Sequence, residues 1–159
     1  MRVPVPSADG RGRLCTIVAA LVDTNVLVYR FDPRFPEKQE KARLLLETAS
    51  RPGVLGLPHQ ALVEFVAATT RPLPRIGALL SPAEAREEVE SMLLTFEVFY
   101  PDAALVRTAL RGVAAYGLSW FDAHLWAYAE HHGCPILYSE DFEAGRVYGS
   151  VRVVNPFKA

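Results

Sequence analysis

The chain is poor in the residues that bind soft metals, with 2 cysteines and 4 histidines among 159 residues. Cys15 and Cys134 lie far apart in apolar surroundings, without a CxxC or Cys/His cluster. That excludes a zinc ribbon or a disulfide framework, and it predicts reduced core residues in a cytoplasmic protein. His59 and His124 lack a partner at ligand spacing, and His131-His132 falls at a helix end, where a cation suits the dipole, so no histidine is assigned to catalysis. Lysine stands only at Lys38, Lys41 and Lys158, and arginine supplies the other cations. With a formal net charge of −1, no global field attracts polyanions, and any contact with one must be local. No apolar run approaches a membrane span, and repeats, low-complexity tracts and heptad seams are missing.

What is present fits one ordinary domain with a single core, half of its residues being hydrophobic. Residues 1–15, with Pro4, Pro6, Gly10 and Gly12, are expected to form a flexible N-terminal extension, and residues 16–159 the domain. Arg2, Arg11 and Arg13 ahead of Leu14 to Val22 imitate a secretory signal, but the apolar stretch is short and ends on an acid. Cleavage there would also remove the first strand.

That strand is T-I-V-A-A-L-V-D from Thr16 to Asp23, β-branched and continuously apolar, as suits a strand buried on both faces. Further strands are expected at Val54 to Leu57, Glu97 to Tyr100, Ile136 to Ser139 and Val151 to Val154. Thr24 and Asn25 offer caps for a short helix that ends near Asp32-Pro33, and the next, Pro36 to Ala49, carries Ala42, Leu45, Leu46 and Ala49 on one stripe. His59 to Thr70 is a third helix. Arg71 to Gly77, with two prolines and a glycine, is expected to be an exposed flexible loop. Ser81-Pro82-Ala83-Glu84 forms a capping box that launches a helix facing inward with Val89, Met92, Leu93 and Phe96. Pro101-Asp102 starts another, with Val106, Ala109, Leu110 and Val113 aligned. Trp120 to His132 follows, and Phe142 to Tyr148 is expected to be a helical turn. Strands alternating with helices imply a three-layer α/β/α fold around a mostly parallel five-stranded sheet.

In such sheets ligands bind beyond the carboxyl ends of the strands. Asp23 and Asp141 fall there, Asp122 opens the helix before the fourth strand, and Glu64 sits inside the apolar A-L-V-E-F-V-A-A. Each has an ordinary structural explanation. Asp23 and Asp141 could cap the turns that follow them, Asp122 could complete a capping box with Ser119, and Glu64 could pair with Arg71. Against these stand the cost of burying an unpaired carboxylate at Glu64, the small neighbours Ala61, Ala67 and Ala68, and the apolar face that Asp122 shares with Leu125, Trp126 and Ala129. Glu140 is expected to be solvated, and Trp120, Phe121 and Trp126 to be core. Four acids around one crevice repel each other unless a cation intervenes. All-oxygen ligation selects Mg²⁺ or Mn²⁺ over zinc, and such ions support phosphodiester hydrolysis by an activated water. Ser139 could orient that water or a ligand.

V-D-T-N-V-L-V-Y at 22 to 29, A-L-V-E-F at 61 to 65, L-S-W-F-D-A at 118 to 123 and S-E-D-F at 139 to 142 resemble the PIN-domain ribonucleases. The final G-R-V-Y-G-S-V-R-V-V-N-P-F resembles, more narrowly, the VapC toxins of type II toxin–antitoxin systems. The similarity runs from about Val18 to Phe157. It implies an Mg²⁺- or Mn²⁺-dependent endoribonuclease acting on structured RNA such as tRNA or rRNA. It also implies a homodimer, and a VapB-type antitoxin whose C-terminal segment occupies the crevice. Asp23, Glu64, Asp122 and Asp141 match the family's acidic quartet, and Ser139 its usual threonine or serine. The residues before Val18 have no counterpart, and Trp120-Phe121 inverts the usual aromatic order. Candidate RNA contacts are Arg71 and Arg75, then Arg34 and Arg146.

Two other functions compete. An aspartyl-phosphate enzyme needs a second aspartate two places after the nucleophile and a lysine near the phosphate, but position 25 is asparagine and no lysine lies between Lys41 and Lys158. A non-catalytic PIN-like binding module would keep the fold without hydrolysis.

Overall fold

A computed structural model describes residues 18–158. The expected N-terminal extension, Cys15 and the first residues of the first strand lie outside them. Twelve elements follow in order: β1 (Ala20–Val22), α1 (Thr24–Tyr29), α2 (Pro36–Thr48), β2 (Leu55–Pro58), α3 (His59–Thr70), α4 (Pro82–Thr95), β3 (Glu97–Phe99), α5 (Ala103–Tyr116), α6 (Trp120–His132), β4 (Ile136–Tyr138), β5 (Val147–Tyr148) and β6 (Val151–Val154). The sheet order is β3-β2-β1-β4-β6-β5, parallel throughout except for β5 against β6.

β1 sits centrally because both of its faces are apolar. Leu21 joins one core cluster with Leu105, Ala109, Leu125 and Trp126, while Ala20 and Val22 join the other with Leu27, Leu46, Leu62 and Phe65. Helices α5 and α6 therefore cover one face of the sheet and α1 to α4 the other, which gives the expected three layers. Leaving β1, the chain builds outward through β2 and β3, then returns to add β4 on the opposite side. The end of β1 is thus the point where the strand order reverses, and a crevice opens there.

Four expectations are corrected. The sheet has six strands among the described residues, because the predicted helical turn at 142–148 instead supplies β5. Tyr148 pairs with Val151 across the two-residue turn Gly149-Ser150, where Gly149 takes a φ of 61°, a conformation costly for other residues. The 71–77 segment is a closed turn rather than a loose loop, since Leu73 and Gly77 exchange backbone hydrogen bonds of 2.9 and 3.1 Å.

The inward face of α5 is Leu105, Thr108, Ala109 and Gly112, so Val106, Leu110 and Val113 are left exposed. Its small residues face in because α6 packs closely, and a Cβ on Gly112 would stand 2.7 Å from the Trp126 ring. On α4, Leu93 is likewise exposed, and Ala85, Met92, Val89 and Phe96 make the inward stripe. The Ser81 capping box is present with both of its hydrogen bonds.

Candidate active site

Asp23 emerges from the central strand at the crevice and is 6% exposed. It stands at the N-cap position of α1 but makes no capping hydrogen bond with its side chain. Its Oδ2 instead accepts a hydrogen bond of 2.5 Å from Ser139 Oγ and one of 2.9 Å from Asn25 Nδ2. Ser139, fully buried after β4, also accepts from the Asp141 backbone N–H at 3.1 Å. Asn25 Nδ2 lies 3.1 Å from Asp141 Oδ2 and 3.4 Å from Ser139 Oγ. One amide thus bridges two carboxylates that are 118 positions apart in sequence, 23 and 141.

Burial raises the pKa of Asp23 from 3.8 to about 7; the Ser139 hydrogen bond opposes this, and the negative charge of Asp141 adds to it. The hydrogen bonds that Ser139 and Asn25 donate to Oδ2 therefore compensate only part of the cost of ionising Asp23 in its buried position.

Glu64 lies one link further out on α3. Thr24 Oγ1 donates to its Oε2 and Gln60 Nε2 to its Oε1, each at 2.8 Å. These bonds take the place of the ion pair with Arg71 that its sequence position allowed. Gln60 Nε2 also reaches the Phe121 carbonyl at 3.3 Å, and Gln60 Oε1 lies 2.8 Å from His124 Nδ1. Burial lowers the pKa of His124, and the negative charge of Glu64 opposes this. Asp23, Glu64, Asp141, Thr24 and Asn25 line one cleft of about 320 Å³.

Asp122 stands apart. Its described hydrogen bonds go to Ser119, whose hydroxyl donates to Oδ2 at 2.7 Å and accepts from the Asp122 N–H at 3.2 Å. Leu125, Trp126 and Ala129 on its helix are buried as expected, but Trp120 and Phe121 are 43% and 67% exposed rather than core.

Glu140 is not solvated. It takes hydrogen bonds from Tyr29 Oη and Lys38 Nζ, which tie the 139–141 segment to α1 and α2. Of the four candidate arginines, only Arg34 lines the cleft. Arg71 and Arg75 are exposed on the closed turn, and Arg146 pairs with Glu143 at 2.9 Å. At the far end of α6, where His131 and His132 form the last turn as expected, burial lowers the pKa of His132.

The donor set fits a hard divalent cation, being all oxygen and anionic. Among the described residues no three His, Cys, Asp or Glu side chains converge closely enough to enclose an ion, so the four predicted acids do not form a cage: Asp23, Glu64 and Asp141 line one cleft, and Asp122 is not among its lining residues. Asn25 Oδ1, buried without a hydrogen-bond partner, is a further oxygen in the cluster. Sequence reasoning treated Thr24 and Asn25 as helix caps and passed over Gln60. Their roles depend on contacts across 40 or more positions for Thr24 and over 100 for Asn25.

A parallel sheet of this order, with acids gathered at the strand-order reversal, is the architecture of a PIN domain, and the PIN domain family profile matches residues 20–150. The chain belongs to that family. No curated protein sequence matches it. A toxin–antitoxin complex from Klebsiella pneumoniae is similar in structure, with a TM-score of 0.65 at 18% identity, covering 88% of this chain and 99% of that one. VapC20 from Mycobacterium tuberculosis, described as a sarcin–ricin-loop-cleaving toxin, gives 0.58 at 21% identity, covering 77% and 89%. DNA-bound VapBC from Salmonella typhimurium gives 0.56 at 17%, covering 86% and 96%. At these identities the likeness is one of fold. Among the described residues no helix is long and apolar enough to cross a membrane.

Proposed function

We propose that the chain is a divalent-metal-dependent endoribonuclease, the toxin of a VapBC-type pair. It would act in the cytoplasm as a homodimer and be restrained by a VapB-type antitoxin. The observation that carries the enzymatic part is the buried Asp23 carboxylate, which shares Asn25 and Ser139 with Asp141 at the strand-order reversal. Asp23 and Asp141 would hold Mg²⁺ or Mn²⁺, with Glu64 and Asp122 completing the acidic set. When bound, such an ion supplies charge neutralisation and water activation for phosphodiester hydrolysis.

The protein's own contribution is orientation. Asn25 and Ser139 fix the Asp23 and Asp141 oxygens, while Thr24 and Gln60 fix Glu64. In the hydrolysis, water oxygen bonds to phosphorus, one phosphorus–ribose oxygen bond breaks, and the departing oxygen takes a proton. Toxin function and an antitoxin partner are supported by what the similar solved structures are. Cleavage of structured RNA such as tRNA or rRNA is supported by the VapC20 description.

A non-catalytic PIN-like module is the second reading, favoured by the engagement of Asp122 with Ser119. Incubating the purified protein with total RNA in Mg²⁺ or Mn²⁺ separates the two. Cleavage is expected, with loss in EDTA and at least a hundredfold loss in Asp23→Asn at unchanged circular dichroism. Equal rates for the variant and the parent protein would overturn the enzymatic assignment.

A further inference from the structure

Phe35 is a large aromatic residue left 42% exposed at the start of α2, immediately beside the acidic cleft. Cations flank it, since the Arg34 guanidinium carbon and Lys38 Nζ each lie 5.5 Å from its ring centroid. Tyr29 holds it in place by an edge contact with centroids 5.5 Å apart and planes at 85°. Arg34 and Phe35 line both the carboxylate cleft and an adjoining cavity of about 290 Å³, to which Pro36, Glu37 and Lys38 also contribute.

Among the described residues Arg34 is the only basic side chain lining the carboxylate cleft, and it is pinned. Its Nε and Nη2 donate to Asp32 at 2.8 and 2.6 Å, and its backbone N–H donates to the same carboxylate at 3.1 Å. Asp32 is 2% exposed, whereas the Arg34 side chain is 42% exposed, so the pair presents its guanidinium outward. Among the described residues Nη1 has no hydrogen-bond partner, which leaves a fixed donor edge at the mouth of the cleft. A guanidinium already ordered by a buried acid binds phosphate with little further loss of side-chain freedom.

We propose that this junction is a nucleotide subsite: Arg34 binds a backbone phosphate next to the bond cut in the cleft, and Phe35 stacks the unpaired base attached to that nucleotide. The subsite presupposes the nuclease assignment above and narrows its substrate to RNA that is single-stranded beside the scissile phosphate. Duplex RNA hides its base faces and would gain nothing from Phe35. An acidic peptide would satisfy Arg34 but leaves the exposed ring without a role.

The test is fluorescence anisotropy of a labelled single-stranded oligoribonucleotide, and of the matching duplex, with protein carrying Asp23→Asn in Mg²⁺ buffer so that cleavage does not intervene. Phe35→Leu, which keeps apolar bulk against Tyr29, is expected to weaken single-strand binding about tenfold and to leave duplex binding unchanged. Phe35→Trp should preserve single-strand binding. Arg34→Gln should weaken binding and reduce the slope of log affinity against log salt by about 0.7, the value for one phosphate contact on a single strand. Changes below twofold in either Phe35→Leu or Arg34→Gln would overturn the subsite, as would equal losses on single strand and duplex in Phe35→Leu. Cleavage by the parent protein, assayed separately, distinguishes the two failures. RNA cut by a protein whose Arg34 and Phe35 variants bind normally refutes the subsite alone, and Phe35-dependent binding without any cleavage refutes the hydrolytic assignment alone.

Discussion

Raising the pH should destabilise the metal-free protein through Asp23. Its carboxyl has a pKa near 3.8 in the unfolded chain and about 7 in the folded one. Between those values the folded state holds a proton that the unfolded state has released, so stability falls as pH climbs through the window and levels off above about 7. A shift of roughly 3 pH units corresponds to about 4 kcal/mol at pH 8. Asp23→Asn removes the charge and keeps the shape, but its amide leaves a buried N–H facing the donors Ser139 and Asn25, at a cost of about 1–3 kcal/mol. The variant should therefore be more stable than the parent by about 1–3 kcal/mol at pH 8 in EDTA, and less stable by a similar amount near pH 4. At this chain length the pH 8 gain amounts to an increase in Tm of roughly 3–10 °C. Thermal or urea melts of both proteins, run in EDTA at a series of pH values, give the difference directly, since other groups titrate alike in both. Saturating Mg²⁺ at pH 8 should raise the parent's Tm and leave the variant's almost unmoved. Parallel stability curves for the two proteins across pH 4–8 would refute the claim that Asp23 is an incompletely compensated buried anion.

Two further outcomes follow from the packing and from the amide bridge. Gly112→Ala would ordinarily favour a helix interior, but the added methyl would stand 2.7 Å from the Trp126 ring, so a net loss of about 1–2 kcal/mol is expected from the urea midpoint. No loss would mean that α5 and α6 have room to separate. Asn25→Ala removes the amide shared by Asp23 and Asp141, so the Mg²⁺ concentration for half-maximal cleavage should rise roughly 10- to 100-fold. An unchanged metal titration would show that the bridge is not a positioning device.

The fold was largely legible because its signals are local. The continuous apolar run into Asp23 identified a strand buried on both faces, and β1 is central. Ser81 to Glu84 forms the box that its spacing predicts. Where the reading failed, the deciding contact was remote or the cue was short. Val106, Leu110 and Val113 share a helical stripe as convincingly as Leu105 and Ala109 do. Only the close approach of Trp126 to Gly112 decides which side turns inward. Tyr148-Gly149-Ser150-Val151 carries a two-residue hairpin cue, but its strand of two residues is too short for periodicity to register.

The site was legible in composition but not in connection. Acids at strand ends drew attention to Asp23 and Asp141, and the cost of burying a charge in an apolar helix to Glu64, and the fold places all three along one cleft. Nothing local to position 25 separates an asparagine that caps a helix from one that bridges two carboxylates, because the second carboxylate arrives 116 residues later. Arg34 was ranked behind Arg71 and Arg75 for the same reason. Its advantage lies in Asp32, two positions earlier, which the fold buries and thereby turns into an anchor. Asp122 shows the converse: the S-x-x-D spacing predicts a capping box, but only its N-cap half forms, and the carboxylate takes the Ser119 hydroxyl instead of the backbone N–H, which occupies one of its oxygens. If Asp122 joins the other acids during hydrolysis, the Ser119 hydroxyl leaves Oδ2 or shares it. Ser119→Ala is therefore the substitution that separates a helix-capping role for this pair from one in the acidic set.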